Sequence, residues 1–293
     1  MFRLKRFSAL VKYQVFRTII DARWVWLIAL VYPIAFCLGP DGFGLVLSAG
    51  APTGGVGVHR SEAATLLSLV GGGFPFAPSL YRAFTLPMGW ILLTVLPVFA
   101  VISGAGCSLG GRASSIDALA GSRSLRFASS CMAAAILTCL YGCYALLCTV
   151  VIALFCGASF GLPATGVVPQ DALLLSAGGT SLPEDSAVYQ VDFGWVCGLA
   201  AIATLWITAL SMTCMLLSLV IERIPAFSVV LLYTVFSTYY PSPWLLGDYG
   251  MAYRSALVIS GGVDVTVAAG AALIVGGGAV LVGWVLLRRL SCR

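Results

Sequence analysis

The side chains able to do acid–base, nucleophilic or metal chemistry are few here, and their spacing rules out most of it. His59 is the one histidine. Sites that need two, such as a zinc-binding His-Glu-x-x-His helix, are therefore excluded. The lysines are Lys5 and Lys12. Neither lies in the Gly-Lys-Ser/Thr of a phosphate-binding loop, so the chain hydrolyses no ATP by that route. The ten cysteines are Cys37, Cys107, Cys131, Cys139, Cys143, Cys148, Cys156, Cys197, Cys214 and Cys292, with no Cys-x-x-Cys among them. Cys139 and Cys143 share a helix face but have no second pair, which gives zinc no ligand set. Small apolar packing is their expected role. Cys156 and Cys197 are the one pair worth testing for a disulfide.

Carboxylates remain. Asp41, Asp171, Asp192 and Asp248 could serve an enzyme acting on lipid or peptide, but they show no paired spacing. Arginine concentrates elsewhere. Residues 110–127 read GGRASSIDALAGSRSLRF and carry Arg112, Asp117, Arg123 and Arg126 between two uncharged runs. Ser114 and Ser115 before Ile116 and Asp117 come close to a capping box. Gly121 suits the end of a short helix, and Ser122 can cap a second helix through Arg123 and Arg126. The spacing predicts a short helix, a break, and then a membrane helix. An ordinary inside loop anchored by arginine is the plain alternative.

The elements that must position this island are apolar. Of the 293 residues 60% are hydrophobic and 9% charged, with mean hydropathy +1.02. Soluble domains are about 25% charged, and a globule must cover much of its area with polar groups. The expectation is an all-α integral membrane protein. About 20 apolar residues cross a bilayer as helix. Six runs qualify: Trp24–Leu38, Met88–Ser108, Ala128–Cys156, Phe193–Val220, Ile224–Tyr240 and Val265–Leu287. They are continuous rather than alternating, which argues against a β-barrel. A cleaved leader is not expected, because no small-residue cleavage site follows the first run. The whole chain reads as one transmembrane domain.

With the N-terminus inside, thirteen Lys and Arg fall on inner segments and three (Arg60, Arg82, Arg254) on outer ones. That satisfies the positive-inside rule and makes both termini and the island cytoplasmic. The net charge of +5 is explained by anionic inner-leaflet lipid, without nucleic acid. Leu4, Phe7, Val11, Val15 and Ile19 form one face of an amphipathic helix over residues 1–23, suited to the membrane interface. The outer segment 241–262 is too apolar for a linker, and re-entry into the membrane needs protein or water to satisfy its backbone. Ala268, Ala272 and Gly276 form a small-xxx-small row for helix packing. The spans hold no internal charge of the kind ion-coupled carriers use, so if the chain moves a cargo, another protein is expected to supply the energy.

Four features together resemble the permease subunit of ATP-binding-cassette exporters of the type-2 class, especially lantibiotic-type permeases. They are the basic N-terminal helix, Gly121-Ser122-Arg123-Ser124-Leu125-Arg126 before the third span, Gly250-Met251-Ala252-Tyr253-Arg254-Ser255 before the last, and the closing Gly283-Trp284…Arg288-Arg289. The sequence departs from that pattern in lacking a clear Glu in the inner segment, where Asp117 can stand in, and a lysine after Arg126. The resemblance implies six spans and no ATPase in this chain. It implies a coupling helix over Ser115–Ala120, with Ser115, Ile116, Asp117, Leu119, Arg123 and Arg126 meeting a separate ATP-binding subunit. It further implies two ATPase copies holding ATP and Mg, a second permease identical or homologous to this one, and a prokaryotic plasma membrane. The substrate class is a hydrophobic or amphiphilic compound such as an antimicrobial peptide. A membrane enzyme or a non-transporting assembly subunit are the other readings.

Overall fold

A computed structural model describes residues 2–38, 69–72, 87–109, 123–155, 193–240, 246–257 and 262–290. The described residues form seven α-helices: α1 Phe2–Asp21, α2 Arg23–Leu38, α3 Met88–Leu109, α4 Arg123–Phe155, α5 Phe193–Val220, α6 Arg223–Tyr239 and α7 Val265–Leu290. Two short 3-10 turns, Leu246–Gly250 and Ala252–Arg254, precede α7. No strand occurs among the described residues, only an isolated bridge between Ser255 and Val263. Helices α2 to α7 follow the apolar runs, because an unbroken apolar segment in lipid must satisfy its own backbone.

α4, α5 and α7 are each long and apolar enough to cross a membrane. α1 and α2 pass the same test only together, bent by 82° where they meet at Ala22. The stretch Met88–Gly104 of α3, and α6, are shorter apolar helices. At 1.5 Å per residue, the 17 residues of α6 span only about 25 Å.

Neighbouring helices run in alternating directions. Tyr32 on α2 donates to the Gly89 carbonyl near the start of α3 (2.9 Å), while Thr18 lies against Gly104 near the other end of α3. α4 and α5 run antiparallel. The Thr138 and Thr208 hydroxyls pair at 2.7 Å, and one turn on, Thr204 fills the space where Gly142 lacks a side chain. α2 and α4 run parallel, joined by Tyr144 Oη to the Leu30 carbonyl (2.8 Å) and by Cys37 near Thr149. α5 and α7 are also parallel: Leu199 and Ile202 face Val265 and Ala268, and further along Ala209 faces Gly276. α5 is the central helix, with Val196, Trp206, Ser211, Cys214 and Met215 all buried.

The packed face of α1 differs from the one its hydrophobic periodicity indicates. Leu10, Val11, Gln14, Thr18 and Ala22 face the bundle, whereas Ile19 is 43% exposed. The packed stripe is shifted by part of a turn from the periodic one and takes in Gln14 and Thr18, while Arg6, Lys12 and Asp21 stay exposed. On α7, Ala268, Ala272 and Gly276 line one buried face with Ala279, Gly283 and Leu287.

Candidate functional site

Two polar clusters stand out against this apolar frame, one at each end of the bundle. The first surrounds the island. Ser115, Ile116, Asp117 and Leu119 fall within 110–122, outside the described residues. Arg123 and Arg126 are described, and the structure separates them. Arg123 opens α4 and is exposed, while Arg126, nearly one turn later, is 3% exposed. Their spacing of three residues on a helix with 3.6 per turn allows similar directions, but only the second is buried. Ser129 Oγ donates to the Arg126 carbonyl (2.8 Å). Phe127 beside it is fully buried against Gly283 of α7, where a Cβ would strike the ring.

α1 packs on both helices that bound 110–122, α3 and α4. On α3 the approach is as close as backbones permit: a Cβ at Gly104 would lie 2.6 Å from the Thr18 Cα. In the same face of α1, Gln14 is 1% exposed, and its amide has no hydrogen-bond partner among the described residues. The buried Ser130 hydroxyl of α4 has none there either. A buried amide without partners costs about 1–3 kcal/mol. Sequence reading missed Gln14 and Gly104. The available signal was a glutamine set between Leu10, Val11 and Thr18 on one helical face.

The second cluster lies at the opposite end. Arg254 is 4% exposed and Asp248 is also buried. Arg254 pairs with Asp248 and donates to the carbonyls of Ser237 (2.7 Å) and Thr238 (2.6 Å). Those carbonyls belong to the last turn of α6, where no further helical N–H can reach them. The short helix thus ends on a guanidinium fork, and Asp248 balances the charge. Asp248 is accordingly no solvated surface carboxylate, contrary to its grouping with Asp41, Asp171 and Asp192. The 3-10 turns are seated by close backbone approaches. A Cβ at Gly250 would lie 2.6 Å from the Trp206 ring. Gly72, with φ +71°, lies under Met251, and Tyr253 N donates to the Gly71 carbonyl (2.9 Å).

Asp264 begins α7 as an N-cap. It accepts from the Thr266 hydroxyl (2.6 Å) and the Thr266 N–H (2.7 Å). These bonds, the hydroxyl's foremost, hold its carboxyl below the usual range. Among the described residues no group of three or more His, Cys, Asp or Glu could hold a metal. Gly106-Cys107-Ser108-Leu109-Gly110 has the spacing of a hydrolase nucleophile elbow. That device needs a strand-to-helix turn, whereas Ser108 lies inside α3. Cys197 is a free thiol, and Cys156 lies outside the described residues. Comparison with family models, curated proteins and solved structures found no match.

Proposed function

We propose that this chain is the membrane-spanning permease subunit of an ATP-driven exporter, with ATP hydrolysed by a separate subunit. The observation that carries this reading is the seat of α1 on both helices bounding residues 110–122. A force applied to that segment reaches α3, α4 and α1 together, because Gly104 and Thr18 are in backbone contact and Arg126 is clasped inside the bundle. The 82° elbow at Ala22 then passes the motion to α2.

In this reading α2 to α7 are six spans, both termini are cytoplasmic, and 110–122 docks into the ATP-binding subunit. Alternating helix direction and the concentration of arginine at one end support that layout. Exposed Arg123 meets the partner, while Arg126 holds α4 to the bundle. Uncharged spans give the cargo an apolar or amphiphilic character, and an antimicrobial peptide fits it. Two ATPase copies and a second permease complete the assembly, in the plasma membrane of a prokaryote.

The test is gentle detergent extraction of the tagged full chain from its native cells. An ATP-hydrolysing protein is expected to co-purify, and Arg123→Glu with Asp117→Arg is expected to reduce its yield at least tenfold, about 1.4 kcal/mol. Extraction that brings down no ATP-binding protein ends this reading.

A further inference from the structure

A groove of about 480 Å³ runs between α5 and α7. Leu205, Ala209 and Met212 form one wall, and Leu273, Gly277 and Trp284 the other. Small-molecule sites occupy about 300–1,000 Å³. The groove's hydroxyl, on Thr208, is already engaged with Thr138 and with the Thr204 carbonyl. The groove therefore offers hydrocarbon contact and no ready partner for a polar group. A Cβ at Gly277 would meet nothing within 4 Å, so a larger side chain there would occupy the open space.

One end of the groove is cationic. The Arg288 guanidinium stacks over the Trp284 ring at 5.3 Å to its centroid, one turn further along α7. Arg289 is adjacent, and both arginines are exposed. Arginine forks match phosphate oxygens in pairs, and a tryptophan with arginines at the end of an apolar helix sits at headgroup level. An apolar channel that ends beside the Arg288 guanidinium, with Arg289 next to it on the same turn, is complementary to one molecule with a chain and an anionic head.

We propose that this groove holds an acyl chain of an anionic phospholipid, with its phosphate on Arg288 and Arg289. Charge decides against a second copy of this chain. Pairing α7 with α7 about a two-fold axis along the helices would set Arg288 and Arg289 against their own copies, and like charges repel.

The test uses the full-length chain in mild detergent, with native mass spectrometry and equimolar dioleoyl phosphatidylglycerol and dioleoyl phosphatidylcholine. The wild type is expected to retain phosphatidylglycerol about tenfold over phosphatidylcholine. Arg288→Gln with Arg289→Gln, both on an exposed turn, should erase that preference, and the double Lys variant should keep most of it. Gly277→Phe should remove the retained lipid while its helical circular dichroism stays unchanged. If Gly277→Phe misfolds, Leu273→Trp at the groove edge takes its place. Three outcomes overturn the proposal. One is equal retention of the two lipids by the wild type. Another is loss of retention in the arginine variant but not on filling the groove, which places the lipid elsewhere. The third is a dimer that Gly277→Phe dissolves with lipid retention unchanged, which makes the groove a contact between copies.

Discussion

Arg254 is held by three acceptors at once, and that sets what replacing it must do. Arg254→Met leaves Asp248 buried without its partner and reopens two carbonyls of α6. Removing one member of a buried pair costs about 3–5 kcal/mol, so thermal unfolding in detergent should begin many degrees lower. Asp248→Asn added to that variant should recover part of the loss, because the stranded charge is gone. Gln14 works in the opposite direction. Gln14→Leu removes a buried amide with no partner among the described residues and should stabilise the chain by about 1–3 kcal/mol. A lower melting point for Gln14→Leu would show that the amide is satisfied in the working protein. Glycines of one helix part company in the same way. Gly283→Ala drives a methyl into Phe127 and should cost about 1–3 kcal/mol as overpacking, rescued by Phe127→Leu. Gly278→Ala meets nothing within 4 Å and should be neutral or slightly stabilising, since alanine favours the helix.

At the scale of elements, the start of α7 depends on Asp264. Its carboxyl titrates below the ordinary value of about 3.9 because Thr266 holds the ionised form. A depressed folded-state value contributes stability above the unfolded value, and that contribution is lost as pH falls through the folded one. Protection of the first-turn amides of α7, taken relative to their intrinsic exchange rates, should therefore be high at neutral pH and fall below about pH 4. Asp264→Asn should make that protection independent of pH, and Asp264→Ala should lower it throughout. The helices themselves were legible in the sequence, since long uncharged runs leave no other way to satisfy the backbone in lipid. The orientation of α1 was not. Periodicity selects Leu4, Phe7, Val11, Val15 and Ile19, while packing selects Leu10, Val11, Gln14, Thr18 and Ala22, because Gly104 of α3 receives Thr18 at backbone distance. The clasp of Arg254 on α6 was hidden for a different reason. It joins residues 16 and 17 positions apart through two short turns, and no periodic pattern encodes such a fold-back.

Across the whole molecule, the proposed layout makes a labelling prediction. Single cysteines at Arg123 and Arg288 should react with a membrane-impermeant maleimide from the same side, and one at Thr266 from the other. Reaction of all three from one side would remove the six-span layout. Arg123 also marks how far the sequence reached into the site. Its place at the start of α4 follows from a charge at the edge of an apolar run. The burial of Arg126 does not follow, because it depends on packing between helices distant in the chain. The short reach of α6 has a consequence for the surrounding bilayer. A helix of 17 residues covers about 25 Å, against a hydrocarbon layer of about 30 Å, and α2 with 16 residues is shorter still. In the proposed six-span layout, lipid beside these two helices must thin or the helices must be drawn inward, at a fraction of a kcal/mol per Å. In that layout the protein acts as a gauge of bilayer thickness. Reconstituted in lipids of increasing chain length, it should melt at its highest temperature in the thinner bilayers and lose stability steadily as the tails lengthen.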